Sequence, residues 1–341
     1  MSTMILRFDP PDGVDRVPNS WNWGVMAFSA AFAAFGCYSS MAIVERIARF
    51  RLDGIASLKS DDRGRGPMVQ PHGRSRAAGG WGRSSPVPPP YHAHGLVSAA
   101  FCASINLVWL MHFIAIVAVT HDGRKTRYEA TTTALSMLFI FVATLVGTLL
   151  MAAVDPLARG DAESFSLLPP SVLTEPVPGG APLADVYLAA PNAHEVIAKL
   201  RSWRYMSRVA IAGVSVGIGV ILMHFTGMAA MRVEDAIMTL NPTLVILTCV
   251  YAAVGGMIFM FALFTLRGPA WRLLVSAVIG VAFLGAHSLG YVAVEIYDAP
   301  PGEDAMDINQ AGLFSAEAVV VAGVIFASLV RTFLIVLAME S

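Results

Sequence analysis

Seven apolar stretches, each long enough to cross a bilayer, constrain this chain more than any other feature. They lie near residues 22–44, 96–120, 130–154, 207–231, 242–266, 273–297 and 314–338. A helix needs about 20 mostly apolar residues to span the hydrocarbon core. Lipid offers no hydrogen-bond partner to an open backbone, so each stretch must be helical. Only 14% of residues are charged and 56% are hydrophobic, whereas a soluble domain carries about 25% charge. The expected fold is therefore an all-α integral membrane protein with seven transmembrane helices, lying in the cell (plasma) membrane with lipids as partners. The first 20 residues are polar and contain Pro10, Pro11 and Pro18. The apolar run that follows is too long for the core of a cleaved leader, so it is read as a span.

The connections are unequal. Residues 1–20 form an outer tail, and 21–338 form one membrane domain with two long insertions. Insertion 45–95 is basic and rich in Pro, Gly and Ser, a composition expected to be disordered. Insertion 155–206 starts in the same way. It then places Val196, Leu200 and Trp203 on one helical face, as in a short interfacial helix. With the N-terminus outside and the C-terminus inside, 17 of the 23 Lys and Arg fall on the inner side, as the positive-inside rule asks. The net charge of −1 supplies no basic field for nucleic acid. Cys37, Cys102 and Cys249 all fall in apolar runs and read as small packing residues rather than a disulfide framework. Gly213 and Gly217 predict a close helix contact in the fourth span.

Histidine inside a span is costly and usually has a partner or a task. His112, His224 and His287 lie in the second, fourth and sixth spans. Their settings repeat: Trp109-Leu-Met-His-Phe-Ile-Ala-Ile116, Ile221-Leu-Met-His-Phe-Thr-Gly-Met228 and Leu284-Gly-Ala-His-Ser-Leu-Gly-Tyr291. Alternate helices run in the same direction. Each imidazole therefore lies at one depth, about 10–15 Å below the outer surface. The pattern predicts three tandem helix pairs and a closing seventh helix. Three imidazoles at one depth can hold copper, zinc, iron or nickel, and thioether sulfur shifts preference towards Cu(I). Met228 lies four residues after His224 and so shares its face. Met111 and Met223 precede their histidines and point about 100° away. Many of the 17 methionines must simply fill the core.

The stretches Leu110-Met-His-Phe113 and Leu222-Met-His-Phe-Thr-Gly-Met228 resemble the signature of the MHYT family of membrane sensors. The resemblance extends from about residue 21 to 338 outside the two insertions. The third motif, Ala286-His-Ser-Leu-Gly-Tyr291, departs from the signature and lacks the Met before its His. The resemblance implies a sensory domain that binds copper and, through it, a diatomic gas such as oxygen, CO or NO. It carries the ligand role to Met111, His112, Met223, His224, Met228 and His287. Family members are often fused to a catalytic output module. Here the sequence ends at Ser341, so the expected output is an unidentified cytoplasmic signalling partner rather than an activity of this chain.

Two other functions compete. Three His with an open position is the ligand set of catalytic zinc, which would make the protein a membrane metal-dependent hydrolase. Such an enzyme needs a general base, and the nearest acids, Glu295 and Glu317, lie further out than the histidines. A row of His and Met can also pass ions, as in a copper or proton transporter.

Overall fold

The computed structural model describes residues 13–64, 90–153, 193–299 and 312–340. Among these residues, six helices are long and apolar enough to cross a membrane. The first is α1 (Trp23–Gly64), whose crossing part is Trp23–Ala48. The second span is continuous but changes type. It begins as α2 (Pro90–Phe101), passes through a π-helical stretch at Cys102–Leu110 and ends as α3 (Met111–Val117). The others are α4 (Ala130–Ala152), α6 (Trp203–Ala230), α7 (Pro242–Thr265) and α8 (Pro269–Val292). A short helix, α5 (Ala193–Arg201), precedes α6. The seventh expected span is helical as α9 (Ala316–Glu340). The protein is a multi-pass integral membrane protein.

Two expectations need correction. The insertion expected to be disordered from residue 45 begins as helix, because α1 continues to Gly64, and it is helical again from Pro90. The sixth span was expected to reach residue 297, but its helix stops at Val292 and Val294–Asp298 is a strand. There Val294 and Ile296 point inward while Glu295, Tyr297 and Asp298 are partly exposed, the two-residue alternation of a half-buried strand. The outer tail before residue 13, the centres of both insertions and the acidic stretch around Glu303 and Asp304 lie outside the described residues.

Helix starts are set by local chemistry. The Glu129 carboxylate accepts from the backbone N–H of Thr131 and Thr132 at the start of α4. Hydrogen bonds from these threonines hold its carboxyl below the usual range. Asn241 accepts from Leu244 N–H at the start of α7, and Ser202 does the same for Tyr205 at the start of α6. Pro242 and Pro269 occupy first-turn positions, where the missing N–H costs nothing.

The second span is the axis of the bundle. It is 94% buried over its core window, against 28–50% for the other five. Around it, α4 packs on α6, α6 on α7, α7 on α8 and α8 on α1, and α9 covers the remaining side. A helix apolar on every face fits that central place. The Ser29 and Ser40 hydroxyls of α1 donate to the Met111 and Ala99 carbonyls of the second span. Trp109 Nε1 donates to Ser136 of α4 at 3.1 Å.

Short strands cap one end of the bundle. β2 (Val119–His121), β4 (Met231–Val233) and β6 (Val294–Asp298) each begin seven residues after a motif histidine. They pair antiparallel with β1 (Asn19–Trp21), β3 (Thr126–Glu129) and β5 (Ala236–Leu240) respectively, and β7 (Leu313–Ser315) adds to β3. The three histidine-bearing helices therefore run in one direction and finish at one level.

Candidate metal centre

His112, His224 and His287 meet at the centre of the bundle, 0%, 3% and 4% exposed. Their ring centroids are 4.9, 4.8 and 5.4 Å apart, and the ring planes cross at 79–86°. The Nδ1 atoms point towards a common place. His112 Nδ1 is 2.9 Å from His287 Nδ1 and 3.2 Å from His224 Nδ1.

This arrangement fits a metal better than it fits a hydrogen-bonded histidine trio. A neutral imidazole carries one N–H and one lone pair. Three Nδ1 atoms aimed at one place cannot all be satisfied by one another, since each shared proton serves a single pair. A cation between them gives every lone pair the same acceptor. Zn–N and similar bonds are about 2.0–2.1 Å, so three nitrogens on one ion lie about 3.3–3.6 Å apart. The His112–His287 and His112–His224 distances fall short of that by only a few tenths of an ångström, and the ligand atoms of the three rings all lie within 4.8 Å of one another. With Nδ1 turned inward, the three Nε2 atoms point outward, and all three are buried without a hydrogen-bond partner.

Small residues fix that ring orientation. A Cβ on Gly227 would lie 2.6 Å from His112 Nε2, and a Cβ on Gly290 would lie 2.5 Å from His224 Nε2. Each glycine sits three residues after a motif histidine. Ala115 is the equivalent residue of the first motif and is fully buried.

Beside the histidines lies a cavity of about 10 Å³, space for one water-sized atom. Its walls repeat threefold. Val108, Met111 and His112, then Val220, Met223 and His224, then Phe283, Ala286 and His287 supply the same three positions from the three helices. Ile221 and Thr248 complete the lining. The structure thus places Met111 and Met223 at the cavity. Met228, which the i+4 spacing favoured, is 1% exposed but does not line it. Cys249 is likewise absent from this lining, although its neighbour Thr248 is present.

Sequence reasoning missed two buried groups above the cluster. Tyr291, four residues after His287, has its hydroxyl 2.5 Å from His121 Nε2, and its ring lies 6.2 Å from that of His287. Trp21 packs edge-on against Tyr291 at 5.3 Å. Burial and the adjacent Arg124 hold the His121 imidazole down to about 4. Tyr291 holds the position after His287 that Met228 holds after His224, but nothing in a single sequence joins it to His121, 170 residues away.

Two segments of the chain, 108–160 and 217–277, match the family model MHYT, described as a bacterial signalling protein N-terminal repeat. The chain carries MHYT repeats. The first MHYT segment contains Val108, Met111 and His112 of the cavity wall, and the second contains Val220, Met223 and His224. His287 lies beyond both segments, yet it occupies the third equivalent position around the cluster. No curated protein and no solved structure matches the chain.

Proposed function

We propose that this protein is a plasma-membrane sensor holding one transition-metal ion, copper, on His112, His224 and His287. The observation that carries this reading is the convergence of three buried Nδ1 atoms with lone pairs that cannot all be satisfied by one another. The description of the MHYT repeats as part of bacterial signalling proteins supports the signalling role. Copper is favoured because the two thioethers facing the cavity, Met111 and Met223, are soft donors beside imidazole. When bound, the ion supplies an open coordination position for a small ligand such as oxygen, CO or NO. The chain's own part is to hold the rings by Gly227 and Gly290, and to keep the approach apolar with Val108, Val220 and Phe283. We further infer that the histidine end faces outward, that α9 forms a seventh crossing, and that a partner on the inner side receives the signal.

The hydrolase alternative lacks its base, since the residues lining the cavity include no carboxylate. The transporter alternative would need a conduit, and the cavity is a chamber for one small atom.

The test is elemental analysis of protein purified from copper-supplemented cells. Wild type is expected to retain about one copper per chain, and the variant combining His112→Ala, His224→Ala and His287→Ala to retain none. Equal metal content in the two proteins, or a wild type that binds none after reconstitution, ends the reading.

A further inference from the structure

We propose that α5 and the first turns of α6 form a docking surface for anionic phospholipid headgroups, at the end of the bundle opposite the strands. This inference does not depend on the metal centre.

The side chains of this segment are arranged the wrong way round for water. Lys199 is turned inward and 8% exposed. Its ammonium donates to the Phe264 carbonyl at 3.0 Å, and it lies 5.2 Å from the centre of the Tyr205 ring. The apolar residues face outward instead. Ile197 is 46% exposed, Leu200 51% and Trp203 82%. An exposed apolar surface next to a buried lysine makes sense only where the outside is itself partly apolar.

The length of α6 says where that outside is. Its 28 residues run from Trp203 to the start of the outer strands at Met231. At 1.5 Å per residue this is about 42 Å. A bilayer with both headgroup layers measures about 40–45 Å. With the strands at one headgroup layer, Trp203 and α5 fall at the other. Tryptophan is favoured at that boundary, where one side of its ring is apolar and the other wet.

Charge then selects the lipid. Arg201, Arg204 and Arg208 are all exposed on the same short segment. A guanidinium presents a planar fork of donors that matches a phosphate oxygen pair. Three of them beside Ile197, Leu200 and Trp203 suit a headgroup carrying net negative charge, with the acyl chains meeting the apolar side chains. A zwitterionic headgroup offers the same phosphate but repels the arginines with its own ammonium.

The experiment uses the full chain in nanodiscs. Trp203 emission is isolated as the difference between wild type and Trp203→Phe. One set of nanodiscs carries acyl-brominated phosphatidylglycerol in phosphatidylcholine, and the other carries the same fraction of brominated phosphatidylcholine. Brominated phosphatidylglycerol is expected to quench Trp203 severalfold more efficiently. The triple variant Arg201→Gln, Arg204→Gln and Arg208→Gln is expected to lose that preference. Arg16→Gln, at the opposite end, is expected to keep it. Equal quenching by both lipids, or a preference that survives in the triple variant, overturns the proposal. An absence of quenching by either lipid also overturns it, and places protein rather than lipid on this face.

Discussion

At the scale of single residues, Gly227 and Gly290 leave room for the Nε2 edges of His112 and His224 and so let these rings turn Nδ1 inward. A methyl group at either position would stand 2.5–2.6 Å from an Nε2 atom, well inside contact distance. The ring would have to rotate and carry its Nδ1 away from the cluster. Gly290→Ala is therefore expected to lower metal affinity about 10- to 100-fold, the usual effect of disturbing a group that orients a ligand. The measurement is competition with a chelator of known affinity. An unchanged affinity would mean that the ring finds another route to the same geometry. The histidines themselves were legible, because ionisable groups within apolar runs stand out and their flanks repeat. The choice among methionines was not. Equal spacing allowed Met228, but in a helix each Cα–Cβ bond leans towards the N-terminus. The space the histidines share with their own helices therefore opens on the side of positions −1 and −4, where Met111 and Met223 lie.

At the scale of elements, α6 and α7 approach as closely as backbones allow. A Cβ on Gly217 would stand 2.7 Å from the Ala253 Cα and 2.9 Å from the Ala252 carbonyl oxygen. Gly213 of α6 meets Met257 of α7, and Gly256 of α7 meets the Gly213 carbonyl in return. Gly217→Val is expected to cost about 1–3 kcal/mol, the usual penalty of overpacking. A lowered midpoint of thermal unfolding in detergent would register it, and an unchanged midpoint would show that the helices can part without loss. This contact was legible from Gly213 and Gly217 because small residues four apart make one groove. The strands were not. Segments of three to five residues such as β2 and β4 carry too few alternations to declare themselves. Their partners lie elsewhere in the chain, as with Val119–His121 against Asn19–Trp21. The π-helical stretch was also hidden, since hydropathy does not distinguish a hydrogen bond to i−5 from one to i−4.

At the scale of the molecule, the capping strands and the helices next to them are joined through His121. Its bond to Tyr291 ties β2 to α8, and Thr126 of β3 lies 3.3 Å from its Nδ1. Burial keeps this imidazole neutral in the folded protein down to about pH 4, against an ordinary value of 6.5. An unfolded chain takes up the proton first. The stability that His121 contributes is therefore complete above pH 6.5, declines as pH falls from 6.5 to about 4, and changes no further below that. The slope of unfolding free energy over that interval is expected to flatten in His121→Gln, as followed by chemical denaturation at stepped pH. An identical slope in both proteins would assign the acid sensitivity to other groups. Six apolar helices and their approximate places were legible, because the bilayer imposes a minimum apolar length. The nesting of one span inside the others was foreshadowed only by its lack of a polar face.

That nesting bears on how the protein is made. The second span leaves the ribosome early, carrying Ser104 and Asn106 among its buried residues. The helices α8 and α9 that complete its enclosure are synthesised more than 150 residues later. During that interval a segment destined never to touch lipid must wait with part of its wall missing. Until the chain is almost finished it needs a protected berth in the insertion machinery, or a temporary surface lent by α1 and α4.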